Sequence, residues 1–170
     1  AHFPRKIYSG GEMKLKLNRE FAIRHLFVTL LMVGLSGWFG YDGFVRYPAT
    51  DAAELYRQIE GADAPDGYNL EAFKKQKIET QYGFTMLSFL AALLIGGHLF
   101  AVSRFRFEFD ESGYSCRGVK REWKDIKKVD RRDWDKKGIV RMDGIKLDAW
   151  HHCGVKEFER LLTANREDLA

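Results

Sequence analysis

Two apolar stretches constrain this chain more than any other feature. Leu26 to Val45, LFVTLLMVGLSGWFGYDGFV, runs for twenty residues with one charge, Asp42, near its far end. Phe84 to Val102, FTMLSFLAALLIGGHLFAV, runs for nineteen with no formal charge and a single His98 close to its end. As a helix, about 20 apolar residues cover the roughly 30 Å of hydrocarbon in a bilayer. Helices buried in a water-soluble bundle normally carry a polar face every three to four residues, and neither stretch has one. Both are therefore expected to cross a membrane as a helical hairpin. Ser88, Ala92 and Gly96, four apart on the second stretch, and Ser36 and Gly40 on the first are small residues at spacings that let helices approach closely in lipid.

Basic residues flank the outer ends of the hairpin: Lys14, Lys16, Arg19 and Arg24 before the first stretch, Arg104 and Arg106 directly after the second. The connector has Arg46, Arg57, Lys74, Lys75 and Lys77 offset by seven acidic residues. The bias places both termini in the cytoplasm. The apolar block follows a polar, basic segment and carries no small-residue cleavage site, so it is read as a retained anchor rather than a secretory signal. The expected division is a cytoplasmic arm over 1–25, a transmembrane hairpin over 26–103 with a periplasmic connector over 47–83, and a cytoplasmic β domain over 104–170. In the connector, Asp51 is placed to cap a helix over Ala52 to Ile59, GADAPDGY to break it, and Asn69 to cap a second helix that runs on into the second span. Trp38, Tyr41, Tyr47 and Tyr82 fall where aromatic rings line the boundary between lipid and water.

After the second span the period changes. RFRFEFD, Arg104 to Asp110, alternates with Phe105, Phe107 and Phe109 on one face, a strand pattern closed by the turn residues Glu111, Ser112 and Gly113. Tyr114 to Val119 and Trp123 to Val129 read as further strands, the latter with Ile126 inward. Lys136, Lys137 and Gly138 then turn the chain. Asp143-Gly144 predicts a tight hairpin pairing Ile139 to Met142 with Ile145 to Trp150. A last amphipathic helix is expected from about Val155 to Asn165, with Phe158, Leu161 and Leu162 on one side. The fold class is thus an α+β membrane protein: a transmembrane hairpin followed by a small antiparallel β domain capped by a C-terminal helix.

The run FRFEFDESGY, the segment Trp123-Lys124-Asp125-Ile126 and the hairpin Lys137-Gly138-Ile139-Val140 resemble the bacterial pleckstrin-homology-like (PH-like) domain of membrane-flanked proteins, over about Phe105 to Leu162. The chain offers about six strands there, one fewer than the complete fold, so the missing strand comes either from Lys14 to Leu17 or from a partner. The resemblance implies a scaffold for binding proteins or membrane surfaces, and neither an enzyme nor a phosphoinositide site.

Residues that could carry chemistry are few. Trp150-His151-His152-Cys153 has zinc-type donors, but neighbouring side chains on an extended chain point apart, and a polar loop with Trp150 and Cys153 facing inward is the simpler expectation. His98 and Asp42 are ionisable groups in or beside the spans, where such groups are costly. Snorkelling at a helix end accounts for both, with His98 the one candidate for an axial cofactor ligand. Lys127, Lys128, Arg131, Arg132, Lys136 and Lys137 form a candidate lipid or partner surface, but Asp130, Asp133 and Asp135 alternate with them, the pattern of a solvated face. Cys116 and Cys153 lie in the part placed in the cytoplasm and are expected to stay reduced. With a formal charge of only +4 and acidic and basic residues interleaved, a nucleic-acid surface is not expected. No phosphate-cradling glycine loop, nucleophile elbow, paired-histidine zinc helix or CxxC occurs. The function expected is that of a non-catalytic accessory or scaffolding subunit of a bacterial inner-membrane complex, with no cofactor of its own and other membrane subunits and the bilayer as partners. A membrane-tethered sensor whose β domain binds a lipid headgroup or small ligand is the alternative.

Overall fold

A computed structural model of the chain describes residues 12–166 and 168. The first half holds strands β1 (Met13–Lys14) and β2 (Lys16–Leu17), helix α1 (Arg19–Tyr41), a π-helical turn (Asp42–Arg46), and helices α2 (Tyr47–Ala49), α3 (Ala52–Glu60) and α4 (Leu70–Ser103). The second half holds β3 (Phe107–Phe109), β4 (Gly113–Cys116), β5 (Val119–Glu122), a 3-10 turn (Trp123–Asp125), β6 (Val129–Asp130), α5 (Trp134–Lys137), β7 (Ile139–Met142), β8 (Ile145–Asp148), β9 (His152–Cys153) and α6 (Val155–Asn165). The fold is α+β, with two long apolar helices and small antiparallel sheets. It divides into two compact units, one made by the described residues up to Ile23 together with those from Phe100 on, the other by Arg24–Leu99.

In the unit made by the two ends of the chain, a four-stranded antiparallel sheet has the order β1-β3-β4-β5, a three-stranded one the order β6-β7-β8, and β2 pairs with β9. Local chemistry shapes each turn. The Asp110 carboxylate accepts from the backbone N–H groups of Ser112 and Gly113, at 2.7 and 3.0 Å, and so closes the bend between β3 and β4. Arg117 and Gly118, with φ of 51° and 86°, form the left-handed pair that a two-residue hairpin requires, and Asp143 and Gly144, at 44° and 85°, do the same between β7 and β8. The Asp143 carboxylate also accepts from the N–H groups of Lys127 and Lys128. The core gathers Phe107 and Phe109 from β3, Tyr114, Trp123, Ile126, and the apolar face of α6. On that helix Val155, Phe158 and Leu162 are fully buried, and the Phe158 ring meets Phe107, Phe109 and Trp123 with centroids 5.1, 5.4 and 5.7 Å away.

Several expectations are corrected here. Tyr114 to Val119 is not one strand: it breaks at Arg117-Gly118, and β5 folds back on β4. Trp123 to Val129 is mostly not strand either. Glu122 and Asp125 exchange side-chain and backbone bonds in a capping box that winds Trp123–Asp125 into a 3-10 turn, while Ile126 is buried as expected. The turn at Lys136 to Gly138 is preceded by the helical turn α5, which Gly138 ends in the left-handed conformation. The N-terminal segment is more than an arm, since Met13 pairs with Phe109, Lys14 with Glu108, Lys16 with Cys153 and Leu17 with His152. The part of that segment before residue 12 lies outside the described residues.

In the second unit, the helical run that begins as α1 continues through the π turn and α2, so it spans Arg19–Ala49 rather than Leu26 to Val45. Its start is set by Asn18, whose side-chain oxygen accepts from the Glu20 N–H at 3.0 Å. The two connector caps form as read: Asp51 accepts from Ala53 and Glu54 at the start of α3, and Asn69 from Ala72 at the start of α4. Gly61, left-handed, ends α3. Leu55 from α3 packs with Tyr47 and Phe73 in a small cluster, and the Lys74 ammonium donates to the carbonyls of Pro48 and Thr50 at 3.0 and 2.7 Å. Both Arg19–Ala49 and Leu70–Ser103 are long and apolar enough to cross a membrane, and only 6% of the most apolar stretch of each is buried within the protein.

Candidate functional site

The β2–β9 pair fixes the histidine segment. Because successive side chains on a strand face opposite ways, pairing of β9 with β2 sends His152 inward and Cys153 outward: His152 is buried, Cys153 exposed, and Trp150 stands 40% exposed. This reverses the expectation that Trp150 and Cys153 face inward. His152 Nε2 lies 3.3 Å from the Val102 carbonyl, the geometry of an N–H donated to that oxygen, and its ring lies 5.3 Å from that of Phe105. His151 sits instead against the Phe21 ring, 4.6 Å between centroids, with Nδ1 3.9 Å from the Asp148 carboxylate. His151, His152 and Cys153 therefore do not converge. Among the described residues no three His, Cys, Asp or Glu side chains are placed to hold one metal ion. Cys116 and Cys153 are both free thiols.

Burial pushes the His152 pKa below its usual 6.5, outweighing the hydrogen bond to Val102 and the attraction of Asp148. The unfolded chain then binds a proton more readily than the folded one, so His152 leaves stability intact above 6.5 and reduces it as pH falls through that value toward the folded pKa. The thermal midpoint of the purified protein is expected to drop between about pH 7.5 and about pH 5.5, and His152→Gln, which cannot gain the proton, to lose most of that drop. An unchanged slope in the variant would remove His152 as the cause.

Within the helical unit, the small residues meet their neighbours. Ser36 donates to the Thr85 carbonyl at 3.2 Å, a Cβ on Gly40 would lie 3.7 Å from the Thr85 methyl group, and one on Gly96 would lie 3.2 Å from the Thr29 methyl group. Ser88 and Ala92 are buried. His98 lies across from His25, with ring centroids 5.9 Å apart. His25 was missed in the sequence, because periodicity within one helix says nothing about a residue on another. Asp42 is buried in the π turn with Arg46 Nη1 3.5 Å away, and Arg46 reaches on to Gln58 Oε1 at 3.2 Å.

The basic segment is largely neutralised by its own acids. Arg131 bonds Glu159 at 3.1 Å and Thr163 at 3.2 Å; Arg132 holds Asp130 at 2.8 Å and keeps that carboxyl far below the usual range. Asp133 takes both Lys137, at 3.4 Å, and Arg141, at 2.9 Å. Lys127, Lys128 and Lys136 project into solvent. Arg166, which the sequence reading passed over, donates to the carbonyls of Trp123, Lys124 and Ile126 and so pins the end of α6 to the 3-10 turn. Comparison with family models, with curated proteins and with solved structures finds no match.

Proposed function

We propose that this chain is a non-catalytic accessory or scaffolding subunit of a bacterial inner-membrane complex, inserted as a two-helix hairpin and docking through a cytoplasmic PH-like unit. The observation that carries the reading is the pairing of β1 with β3. The strand that ends five residues before α1 begins is bonded to the strand that begins four residues after α4 ends, so if the two helices cross a bilayer, their outer ends lie on one side of it. Apolar side chains standing open to the surroundings, such as Phe27 at 66%, Leu87 at 65% and Leu94 at 75%, favour lipid as their solvent. A four-stranded and a three-stranded antiparallel sheet followed by an amphipathic helix with a buried face support the PH-like reading, with β1 bringing the strands of those two sheets to seven. The cytoplasmic side is taken from the basic residues at the outer ends.

Topology and assembly are tested on the full chain in bacterial membranes. Introduced Asp66→Cys in the connector is expected to react with a membrane-impermeant maleimide from outside, while native Cys153, exposed in the β unit, reacts only after permeabilisation. In mild detergent the protein is expected to migrate with other membrane polypeptides. Equal labelling of both positions would overturn the topology, and migration as a lone monomer would overturn the subunit role.

A further inference from the structure

Four arginines of the β unit are paired with carboxylates, and three that are not lie together. Arg131, Arg132, Arg141 and Arg166 hold Glu159, Asp130, Asp133 and Asp168. Arg104, Arg106 and Arg117 have no carboxylate within ion-pairing distance among the described residues, and all three line one cavity of about 370 Å³ with Ser115, Gly118 and Glu108. Glu108, the one acid there, is occupied by the Lys14 ammonium at 2.6 Å, which holds its carboxyl below the usual range. The excess positive charge around the cavity is thus left uncompensated. The site is also braced. The Arg117 N–H donates to the Arg106 carbonyl at 3.1 Å, and the Arg104 guanidinium lies 4.4 Å from the centre of the Phe100 ring.

The geometry points to this cavity as a binding site for the phosphate of an anionic lipid headgroup. Guanidinium forks match phosphate oxygens in pairs, and a volume of this size falls in the range of small-ligand sites, roughly 300–1,000 Å³. The lipid source follows from chain position and rests on the membrane reading above. Arg104 is the first residue after α4 ends at Ser103, so a span ending there leaves Arg104 within a few Å of the headgroup layer. The site differs from the Lys127 to Lys137 segment, where the acids already take much of the charge.

The test uses the full chain in non-ionic detergent, with phosphatidylglycerol, phosphatidylcholine and inorganic phosphate as probes and native mass spectrometry as the readout. Wild type is expected to retain one phosphatidylglycerol in preference to phosphatidylcholine. Each arginine is expected to contribute roughly fivefold, so R104Q/R106Q/R117Q binds about 100-fold more weakly. R117N removes one charge while suiting the left-handed turn, so the hairpin stays folded, and it is expected to weaken retention about fivefold. K127Q/K128Q is expected to bind as wild type does. Undiminished retention by R117N and the triple variant would overturn the site, as would inorganic phosphate competing as well as the lipid at equal concentration. Both failures are separable from failure of the membrane reading, which would show as protein that stays soluble once detergent is removed.

Discussion

Phe158→Ala is expected to unfold the β unit at temperatures where the wild type is intact. Phe158 is completely buried, and its ring stands edge-on to Phe107 and Phe109 and tilted against Trp123. It is therefore where α6, the first strand after α4 and the 3-10 turn meet. Truncating a buried phenylalanine to alanine costs about 3–5 kcal/mol, through lost transfer energy and the cavity left behind. A unit of about 80 described residues has about 4–12 kcal/mol in all, so the variant is left marginal. Near-ultraviolet circular dichroism should show early loss of the aromatic signal, since Trp123 and Tyr114 share the cluster. Lys156→Ala, on the exposed side of α6, should change stability by no more than about 0.5 kcal/mol. A Phe158→Ala midpoint within a degree or two of wild type would mean that the helix does not pack on the sheet as described.

Gly113→Val is the second change with a large expected effect, and its mechanism is steric. Gly113 opens β4 opposite Glu122, and a Cβ there would run into the carbonyl oxygen of Arg121 and lie 2.9 Å from the Glu122 Cα. Both obstacles are backbone, held by the β4–β5 ladder and by the capping box that begins at Glu122. No side chain can swing aside to make room. Overpacking of this kind costs about 3 kcal/mol, the upper end of its usual range. The β4–β5 hairpin should lose hydrogen-exchange protection at Ser115 and Lys120 first, while α3 and its Leu55 cluster keep theirs. Protection lost equally everywhere, or nowhere, would sink the steric account.

What could be read from the chain, and what could not, follows the range of the forces involved. Asp51, Asn69 and Asn18 stand beside helix starts, and a side-chain oxygen bonding an N–H two or three residues on is local chemistry. Asp51 and Asn69 are legible as caps in the sequence, whereas Asn18 stands before a helix that begins seven residues ahead of the apolar stretch, at Arg19. Asp143-Gly144 announced its hairpin, whereas Arg117-Gly118 did not, since arginine is seldom the residue that takes a left-handed turn. The segment Tyr114 to Val119 therefore reads as one strand, and the turn stands inside it.

The candidate site was the least legible part. The mixed charge of 127–137 reads as a solvated face; that its acids and bases pair, and which acid holds which base, is decided in the fold, as where α6 brings Glu159 to Arg131. The Arg104, Arg106 and Arg117 cavity left no sequence signal beyond scattered basic residues. It exists because β3 and the β4–β5 turn lie side by side.

Length, apolarity and caps by themselves determined two long helices, the break between α3 and α4, the Asp-Gly hairpin and the amphipathic α6, because each depends on residues within a turn or two of one another. Only the tertiary structure decided that Met13–Leu17 joins the sheets, that His152 faces inward, and that Lys14 meets Glu108 across 94 positions of chain. Pairing between strands far apart in the chain depends on which edges remain open once the local hairpins have formed, and no local pattern records that.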